Sequence, residues 1–211
     1  MLARCSGAAL IGLEASAVAV EVDIAPGLPG LLMVGLPDAT VQESRERVRA
    51  ALRNSGLRPP LTRVVVSLAP ADLRKQGPAF DLPIALAVLA ASGQLNPSLL
   101  QGIWCAGELG LGGALRPVRG ALSLALAARQ HGARALLLPA ANGAEAALVE
   151  GLPVWPAAAL EEALVLLRSP PTGLPPRLQG QAFGGDPAID PGGGGRDLAE
   201  VQGQPHEIGR A

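Results

Sequence analysis

The chain has 211 residues, enough for one good-sized domain and a tail. Hydrophobic residues make up 49% of it and aromatic residues only 2%, with no Tyr, so the core must be built from Ala, Leu and Val. No run of about 18 apolar residues is free of Gly, Pro and charge, which argues against a membrane span. The short apolar run at the N-terminus continues as an alternating strand, which argues against a signal peptide.

The two cysteines, Cys5 and Cys105, are too few for a disulfide framework. They and the two distant histidines do not form a metal-binding set, so no metal site is predicted. We therefore expect a reduced, cytoplasmic protein with no membrane partner.

The formal net charge of -1 conceals an uneven distribution. Between Glu43 and Lys75 there are eight basic and three acidic residues, which gives a local charge of +5 and leaves about -6 for the remainder. Charge segregated in this way indicates one face that meets a polyanion or an acidic partner.

The first half of the chain is predicted to begin with three strands and a helix. Residues 2–12 and 14–25 form two strands, and the second has the alternation of a half-buried strand. Residues 31–36 form a third, more fully buried strand. Asp38 or Thr40 then caps a helix that Gly56 ends.

That helix has two faces of opposite character. Its inward stripe is predicted from apolar residues at helical spacing: Val41, Val48, Ala51 and Leu52. Arg45, Arg49 and Arg53 recur at every fourth position and therefore share one outward face, called here the arginine ridge.

The second half alternates strands with helices. A buried strand at 63–70 precedes a basic turn and the most apolar helix of the chain, which Asp81 is predicted to cap, with Pro83 in its first turn. Residues 102–118 are predicted as a strand, a glycine-rich turn and a returning strand. Further strands are predicted at 133–139 and 152–157, and further helices at 119–132, 140–151 and 159–169. This order indicates a mixed α/β domain over residues 1–169.

The composition changes after that domain. Residues 170–196 are rich in Pro and Gly and are predicted to be a disordered linker. Residues 197–211 resume helical propensity and are predicted to begin a second module.

The turn at 76–81, QGPAFD, precedes a helix and could hold a phosphate or a nucleophile. A Walker-type phosphate loop needs G-x-x-x-x-G-K-[ST], which the chain lacks. A nucleophile would need Ser, Thr or Cys, whereas positions 77–80 are Gly, Pro, Ala and Phe. The turn is therefore interpreted as structural.

Other motifs are also interpreted as structural. The glycines of 107–113 could suggest a dinucleotide site, but Pro117 follows them where a helix should begin, so a hairpin is predicted and Glu108 is given no catalytic role. His131 is predicted at a helix C-terminus. Trp104 and Trp155 are predicted to be packing residues, because base stacking needs more exposed aromatic residues than this chain has.

The arginine ridge has two interpretations. It is either a solvated helix face with Glu43–Arg47 and Glu46–Arg49 pairs or a binding surface. Binding is favoured by further basic residues in neighbouring segments: Arg58, Arg63, Arg74 and Lys75.

Three stretches closely resemble the ComM/YifB family of bacterial AAA+ proteins, which are often labelled magnesium chelatase-like. They are GLPDATVQESRERVRAALRNSG, LAPADLRKQGPAFDLPIALAVLAASG and GELGLGGALRPVRGAL. The resemblance covers about residues 1–169. It implies the ribosomal protein S5 domain 2-like fold that the Lon protease domain also has.

The Lon protease uses a Ser–Lys dyad, and the resemblance implies that both members are missing from this chain. Ala79 stands at the serine position and Leu122 at the lysine position, while Ser123 and Lys75 match neither. No catalytic residue is therefore expected.

The tail DLAEVQGQPHEIGRA resembles the entry to the family's ATPase module. The resemblance places Asp197, Val201 and Gly203 at the edge of an adenine pocket. ATP and Mg²⁺ are implied for the full-length protein, and no cofactor is expected in the residues before Walker A.

The resemblance thus implies a non-catalytic accessory domain of a hexameric ATP-driven motor that acts on DNA in branch migration during natural transformation. The residues expected to contact DNA are Arg45, Arg49, Arg53, Arg74 and Lys75. The alternatives are a pure assembly or regulatory module, an active Lon-like peptidase, and a magnesium chelatase subunit.

Overall fold

The computed structural model describes residues 2–171, which are organised around a seven-stranded sheet of mixed direction. The strands are β1 (Leu2–Ile11), β2 (Glu14–Ala25), β3 (Gly30–Val34), β4 (Arg63–Ala69), β5 (Ile103–Cys105), β6 (Glu108–Leu109), β7 (Leu115–Arg116), β8 (Ala135–Pro139) and β9 (Val154–Ala157). The sheet order is β3-β4-β2-β1-β5-β8-β9, and β6 and β7 form a separate antiparallel pair. Only the β1–β2 and β2–β4 pairs of the main sheet are antiparallel.

The helices are α1 (Ala39–Asn54), α2 (Asp81–Ala91), α3 (Ala121–Gln130), α4 (Gly143–Ala146) and α5 (Leu160–Arg168). Short 3₁₀ turns occupy Pro78–Phe80, Pro97–Leu100 and Ala140–Asn142. The mixed α/β class predicted from the sequence is confirmed.

Helices cover both faces of the sheet. Alternate residues of a strand point to opposite faces, and in β1 Cys5 and Ala9 belong to one core cluster while Ala8 belongs to the other. The first cluster, called here the α2 core, includes residues of α1, α2 and α5. The second, the α3 core, includes residues of α3 and α4.

Helix α2 is buried along its whole length, from Asp81 to Ala91. Such a helix shows no amphipathic stripe, because every side contacts protein. Gly7 of β1 lies beside this helix, and the tight neighbour at that position is the backbone of β5. A Cβ at Gly7 would lie 3.1 Å from the Cys105 carbonyl oxygen and 3.7 Å from Cγ of Pro83.

Helix α1 follows the sequence pattern closely. Of the two predicted caps, Asp38 is the one used, since its Oδ1 accepts a 2.8 Å hydrogen bond from the Val41 amide. The predicted inward stripe is buried, and Ser44 is buried with it. The helix ends at Asn54, and Gly56 follows with a φ of +69°.

Two predicted elements differ from the structure. Residues 31–36 were expected to form a fully buried strand, but β3 lies at the sheet edge, with Leu32 and Val34 51% and 41% exposed. The helix predicted over 140–151 is reduced to a 3₁₀ turn and the four residues of α4. The Asn142 side chain exchanges two 2.9 Å hydrogen bonds with the Val118 backbone and ties this turn to the segment before α3.

None of the helices within residues 2–171 is long and apolar enough to cross a membrane.

Candidate functional site

The turn before α2 is held by hydrogen bonds to the Gly107 backbone on one side and to the Asp38 side chain on the other. The Gly107 amide donates to the Ala79 carbonyl at 2.9 Å, and the Leu82 amide donates to the Gly107 carbonyl at 3.0 Å. Gly77 enters the turn with a φ of +79°, which favours glycine. The Gly77 amide donates to Oδ2 of Asp38 at 3.3 Å, so the turn is also attached to the start of α1.

Asp81 is not the cap that the sequence predicted. It is the first residue of α2, the 3₁₀ turn of Pro78–Phe80 precedes it, and its side chain is 0% exposed. Its two oxygens accept hydrogen bonds from Nε and Nη2 of Arg47, at 2.7 and 3.1 Å. The Leu109 amide also donates to Oδ2, at 3.1 Å. Both carboxylate oxygens of Asp81 are therefore engaged in a buried network, which joins α1, α2 and β6.

Arg47 is the residue of this region that the sequence interpretation undervalued. It was expected to form an exposed pair with Glu43, and that contact exists at 3.5 Å. Its Nη2 also donates to the Thr40 carbonyl and to Oγ of Ser44. Hydrogen bonding to Asp81 raises the pKa of Arg47, although burial opposes the shift. In the sequence, Ser44 falls at helical spacing between Val41 and Val48 of the inward stripe, and this polar residue at a core position is the signal that could have indicated a polar contact near Arg47.

Lys75 is fully buried, which contradicts its expected role in DNA contact. Its Nζ donates to the Pro70 carbonyl. Its backbone bonds to the segment before α1. The Lys75 amide donates to the Leu36 carbonyl at 3.1 Å, and the Lys75 carbonyl accepts from the Asp38 amide at 3.0 Å. Burial lowers the pKa of Lys75, and the charge of Asp72 partly opposes that shift. Lys75 therefore holds the loop of residues 70–75 against the segment before α1.

The facing segment, residues 35–38, is shaped by unusual backbone angles. Gly35 has a φ of +99°, and a Cβ there would lie 2.1 Å from the Leu68 carbonyl oxygen. Leu36 has a φ of +54°. Only glycine fits at position 35, because any side chain would collide with the backbone of β4.

The position that resembles the Lon lysine lies across the sheet from the turn. Leu122 belongs to α3, whose residues pack in the α3 core, whereas α2 packs in the α2 core. Leu122 is 38% exposed. The neighbouring Ser123 donates from Oγ to the Leu13 carbonyl at 2.6 Å, so its hydroxyl fastens α3 to the β1–β2 hairpin.

The arginine ridge is exposed on α1, as the spacing predicted. Among the described residues, Arg45 has a loose ion pair with the neighbouring Glu46 at 3.7 Å. The expected Glu46–Arg49 pair is not among the ion pairs of residues 2–171. Arg45 and Arg49 border a cleft of about 240 Å³ between α1 and β3, whose walls include Leu52.

The other expected basic residues are dispersed around this helix. Arg58, Arg63 and Arg74 are exposed, so only Lys75 of the expected basic set is removed from the surface. Backbone bonds between Arg58 and the Gln94 side chain, at 2.9 and 2.7 Å, fix the loop after α1 to the end of α2.

The glycine-rich segment after β5 is a hairpin, as predicted. Strands β6 and β7 pair there, and Glu108 forms a 3.1 Å ion pair with Arg116. Trp104 and Trp155 are buried, and His131 is the C-cap of α3. These predictions are confirmed.

Comparison with known proteins identifies the family. Residues 20–142 match the family described as subunit ChlI of Mg-chelatase. The chain is 50% identical over 141 residues to the uncharacterized protein YifB of Salmonella typhimurium and 49% identical over 143 residues to YifB of Escherichia coli. It is 47% identical over 141 residues to the competence protein ComM of Haemophilus influenzae.

The chain belongs to the magnesium chelatase-like ComM/YifB family of AAA+ proteins. The aligned segments cover 67% or 68% of this chain but only 28% of each of these relatives. The chain thus spans less than a third of their length.

The region that matches the ChlI family contains the features described above. It includes α1 with its ridge, the Arg47–Asp81 ion pair, the buried Lys75 and the turn with Ala79. Asp197, Val201 and Gly203, expected at the edge of an adenine pocket, lie outside the described residues, as do residues 172–196 of the predicted linker and the predicted second module.

Proposed function

We propose that residues 2–171 form a non-catalytic accessory domain that contacts DNA within a ComM/YifB-type AAA+ protein. The arginine ridge carries this proposal, because its three guanidinium groups lie on one exposed helix face and, among residues 2–171, form one loose ion pair. Phosphate groups of DNA are the polyanionic partner that such a row of arginines fits. The domain would act in the cytoplasm as part of a hexamer.

The side chains of this domain support the proposal that it is non-catalytic. The turn before α2 presents the methyl group of Ala79 where a serine nucleophile would be needed. The nearby charged groups are committed elsewhere, since Asp81 is held by Arg47 and Lys75 bonds to Pro70. An active Lon-like peptidase is therefore the weaker interpretation.

ATP and Mg²⁺ are the cofactors that we propose for the full-length protein. The candidate adenine-edge residues lie outside the described residues, so no step of the proposal is assigned to them. The DNA-contact role concerns the exposed face of α1 alone.

The test is DNA binding by the chain with and without its arginine ridge. Fluorescence anisotropy with a labelled duplex, repeated at several salt concentrations, gives the affinity and its salt dependence. Each lost phosphate contact reduces the slope of log K against log salt by about 0.9, so the triple Arg→Ala variant at positions 45, 49 and 53 should lose about 2.7. Binding at low salt should weaken as well.

A matched control removes the same charge elsewhere. Arg119, Arg129 and Arg168 are exposed and lie outside α1, and their triple Ala variant should retain most of the affinity. If both variants lost the same affinity, binding would depend on net charge alone and the ridge assignment would fail. An unchanged salt slope in the ridge variant would also refute it.

A second candidate, an assembly module, is favoured by the edge strand β3. Its outer edge is unpaired within the described residues, and Leu32 and Val34 expose apolar surface beside it. Native sheet edges are usually blunted, so an exposed apolar edge is a candidate contact surface. If Leu32→Lys lowered the molar mass measured by light scattering without changing DNA affinity, assembly would be the better interpretation.

A further inference from the structure

A recess of about 430 Å³ opens beside the C-terminal end of α3. Its polar lining comes from Arg4 and Ser6 of β1, Trp104 of β5 and His131, the C-cap of α3. This recess lies away from the arginine ridge and shares no residue with it. It therefore needs an explanation of its own.

The floor of the recess follows from the register of four strands. Ala69 pairs with Ala19, Ala19 with Ser6, and Ser6 with Trp104, which forms one row across β4, β2, β1 and β5. Three small side chains followed by an indole leave a flat, mostly apolar surface with a wall at one end. The recess exists because nothing larger than Ser stands in this row before the tryptophan.

Three of the polar side chains around that floor have no intramolecular partners among the described residues. Within the described residues, Arg4 forms no ion pair or side-chain hydrogen bond, and the Ser6 hydroxyl and the Trp104 indole N–H form no hydrogen bond. Trp104 is only 7% exposed, yet no buried side-chain nitrogen among these residues lacks a partner. Its N–H must therefore lie on the small exposed edge of the ring, and Trp104 lines the recess.

His131 completes the wall. Its ring lies 5.2 Å from the Trp104 ring, centroid to centroid, and its Nδ1 contacts the Ala127 carbonyl at 2.9 Å. A carbonyl can only accept, so Nδ1 carries the proton and Nε2 has no partner among the described residues. The planes of the two rings are tilted by 39° from each other.

We propose that this recess binds the phosphate group of a small molecule. Arg4, Ser6 and Trp104 offer a cation and three kinds of N–H or O–H donor, which suits an oxyanion with several acceptor oxygens. The organic part of the ligand lies over Ala19 and Ala69. Glu21 stands opposite Arg4 in the strand register, but the two form no ion pair, so the guanidinium is available to the ligand.

The volume sets the size of the ligand. Pockets for small molecules span about 300 to 1,000 Å³, so a recess of about 430 Å³ suits a ligand of nucleoside monophosphate size. Adenosine monophosphate is therefore the main probe. Inorganic phosphate tests the anion site alone, and adenosine tests the organic part alone.

The indole N–H signals of a ¹⁵N-labelled sample of the chain provide the readout. The chain has two tryptophans, so two signals are expected, and a Trp155→Phe variant assigns them. Adenosine monophosphate should shift the Trp104 signal saturably and leave the Trp155 signal in place. Inorganic phosphate should shift the same signal with weaker affinity, and adenosine should not shift it.

A matched pair of variants and one further variant test the assignment. Arg4→Gln should weaken the affinity for adenosine monophosphate about tenfold or more, because a charge-assisted bond is lost, whereas Arg119→Gln should not change it. Ser6→Ala should weaken it by a smaller factor. Circular dichroism verifies that each variant is folded.

Three results would overturn the proposal. The first is no shift at about 10 mM adenosine monophosphate, where even a millimolar site would be mostly occupied. The second is an equal response to adenosine, which would remove the role of the phosphate. The third is an unchanged affinity for adenosine monophosphate in the folded Arg4→Gln or Ser6→Ala variant.

Discussion

The Arg47–Asp81 ion pair is expected to be a main determinant of the stability of this domain. Asp81 is 0% exposed and accepts three hydrogen bonds, two from Arg47 and one from the Leu109 amide. Asp81→Asn keeps the size of the side chain but replaces one oxygen with an NH₂ group. That group must face a donor, either the guanidinium or the amide, so at least one contact becomes donor against donor.

The loss of stability expected for Asp81→Asn depends on how exposed Arg47 is. Removing one member of a buried ion pair costs about 3–5 kcal/mol, since the other charge stays buried. The Arg47 side chain is 17% exposed and keeps its bonds to Thr40, Ser44 and Glu43, so its charge is partly compensated. We therefore expect Asp81→Asn to lower the free energy of unfolding by about 3 kcal/mol.

Urea unfolding followed by circular dichroism measures this free energy. Glu43→Gln is the matched control, because it removes a carboxylate that contacts the same Arg47 at 3.5 Å but is 72% exposed. A screened, exposed pair of this kind should contribute no more than about 0.5 kcal/mol. If the two variants lost equal stability, or if Asp81→Asn cost less than about 1 kcal/mol, the buried pair would not have the role assigned to it.

Three further predictions concern groups whose burial the structure defines. Burial lowers the pKa of Lys75, so its ammonium form is disfavoured in the folded state. The free energy of unfolding of the wild type, measured with urea and compared with that of Lys75→Met, should therefore rise as the pH approaches 10.5. Gly35→Ala should destabilise the fold by about 3 kcal/mol or more. Gly12→Ala should cost only about 1 kcal/mol, because Gly12 also has a positive φ but a Cβ there would meet no other atom. Equal costs would refute the backbone collision. The pKa of Cys105 is raised by its hydrogen bond with Cys5 and by burial, so both thiols should react with Ellman's reagent only after unfolding. Fast labelling of the native protein would contradict this.

The sequence predicted those elements whose pattern depends on neighbours along the chain. The alternation of β2, the stripe of α1 and the glycine after α1 all reflect local periodicity or capping. These elements were correct to within a few residues. The same reasoning does not show which strand lies at an edge, because that depends on the order of the strands in the sheet. For this reason β3 was predicted to be buried.

The roles of Asp81 and Lys75 could not be predicted for a related reason. An aspartate before an apolar helix fits a cap, and a lysine beside an arginine fits a basic surface. The partner of Asp81 is Arg47, which is 34 residues away in the chain. The backbone of Lys75 bonds to the segment before α1. Such long-range partners leave no periodic signal in one sequence.

The buried ion pair and the arginine ridge are two faces of one helix. Arg47 points inward to Asp81, whereas Arg45 and Arg49, two residues to either side of it, point to solvent. Fixing the rotation of α1 through Arg47 therefore fixes the direction of the ridge. The turn that resembles a protease active site thus serves this domain by supplying the anchor for α1. On this basis the turn before α2 supports any contact that the ridge makes.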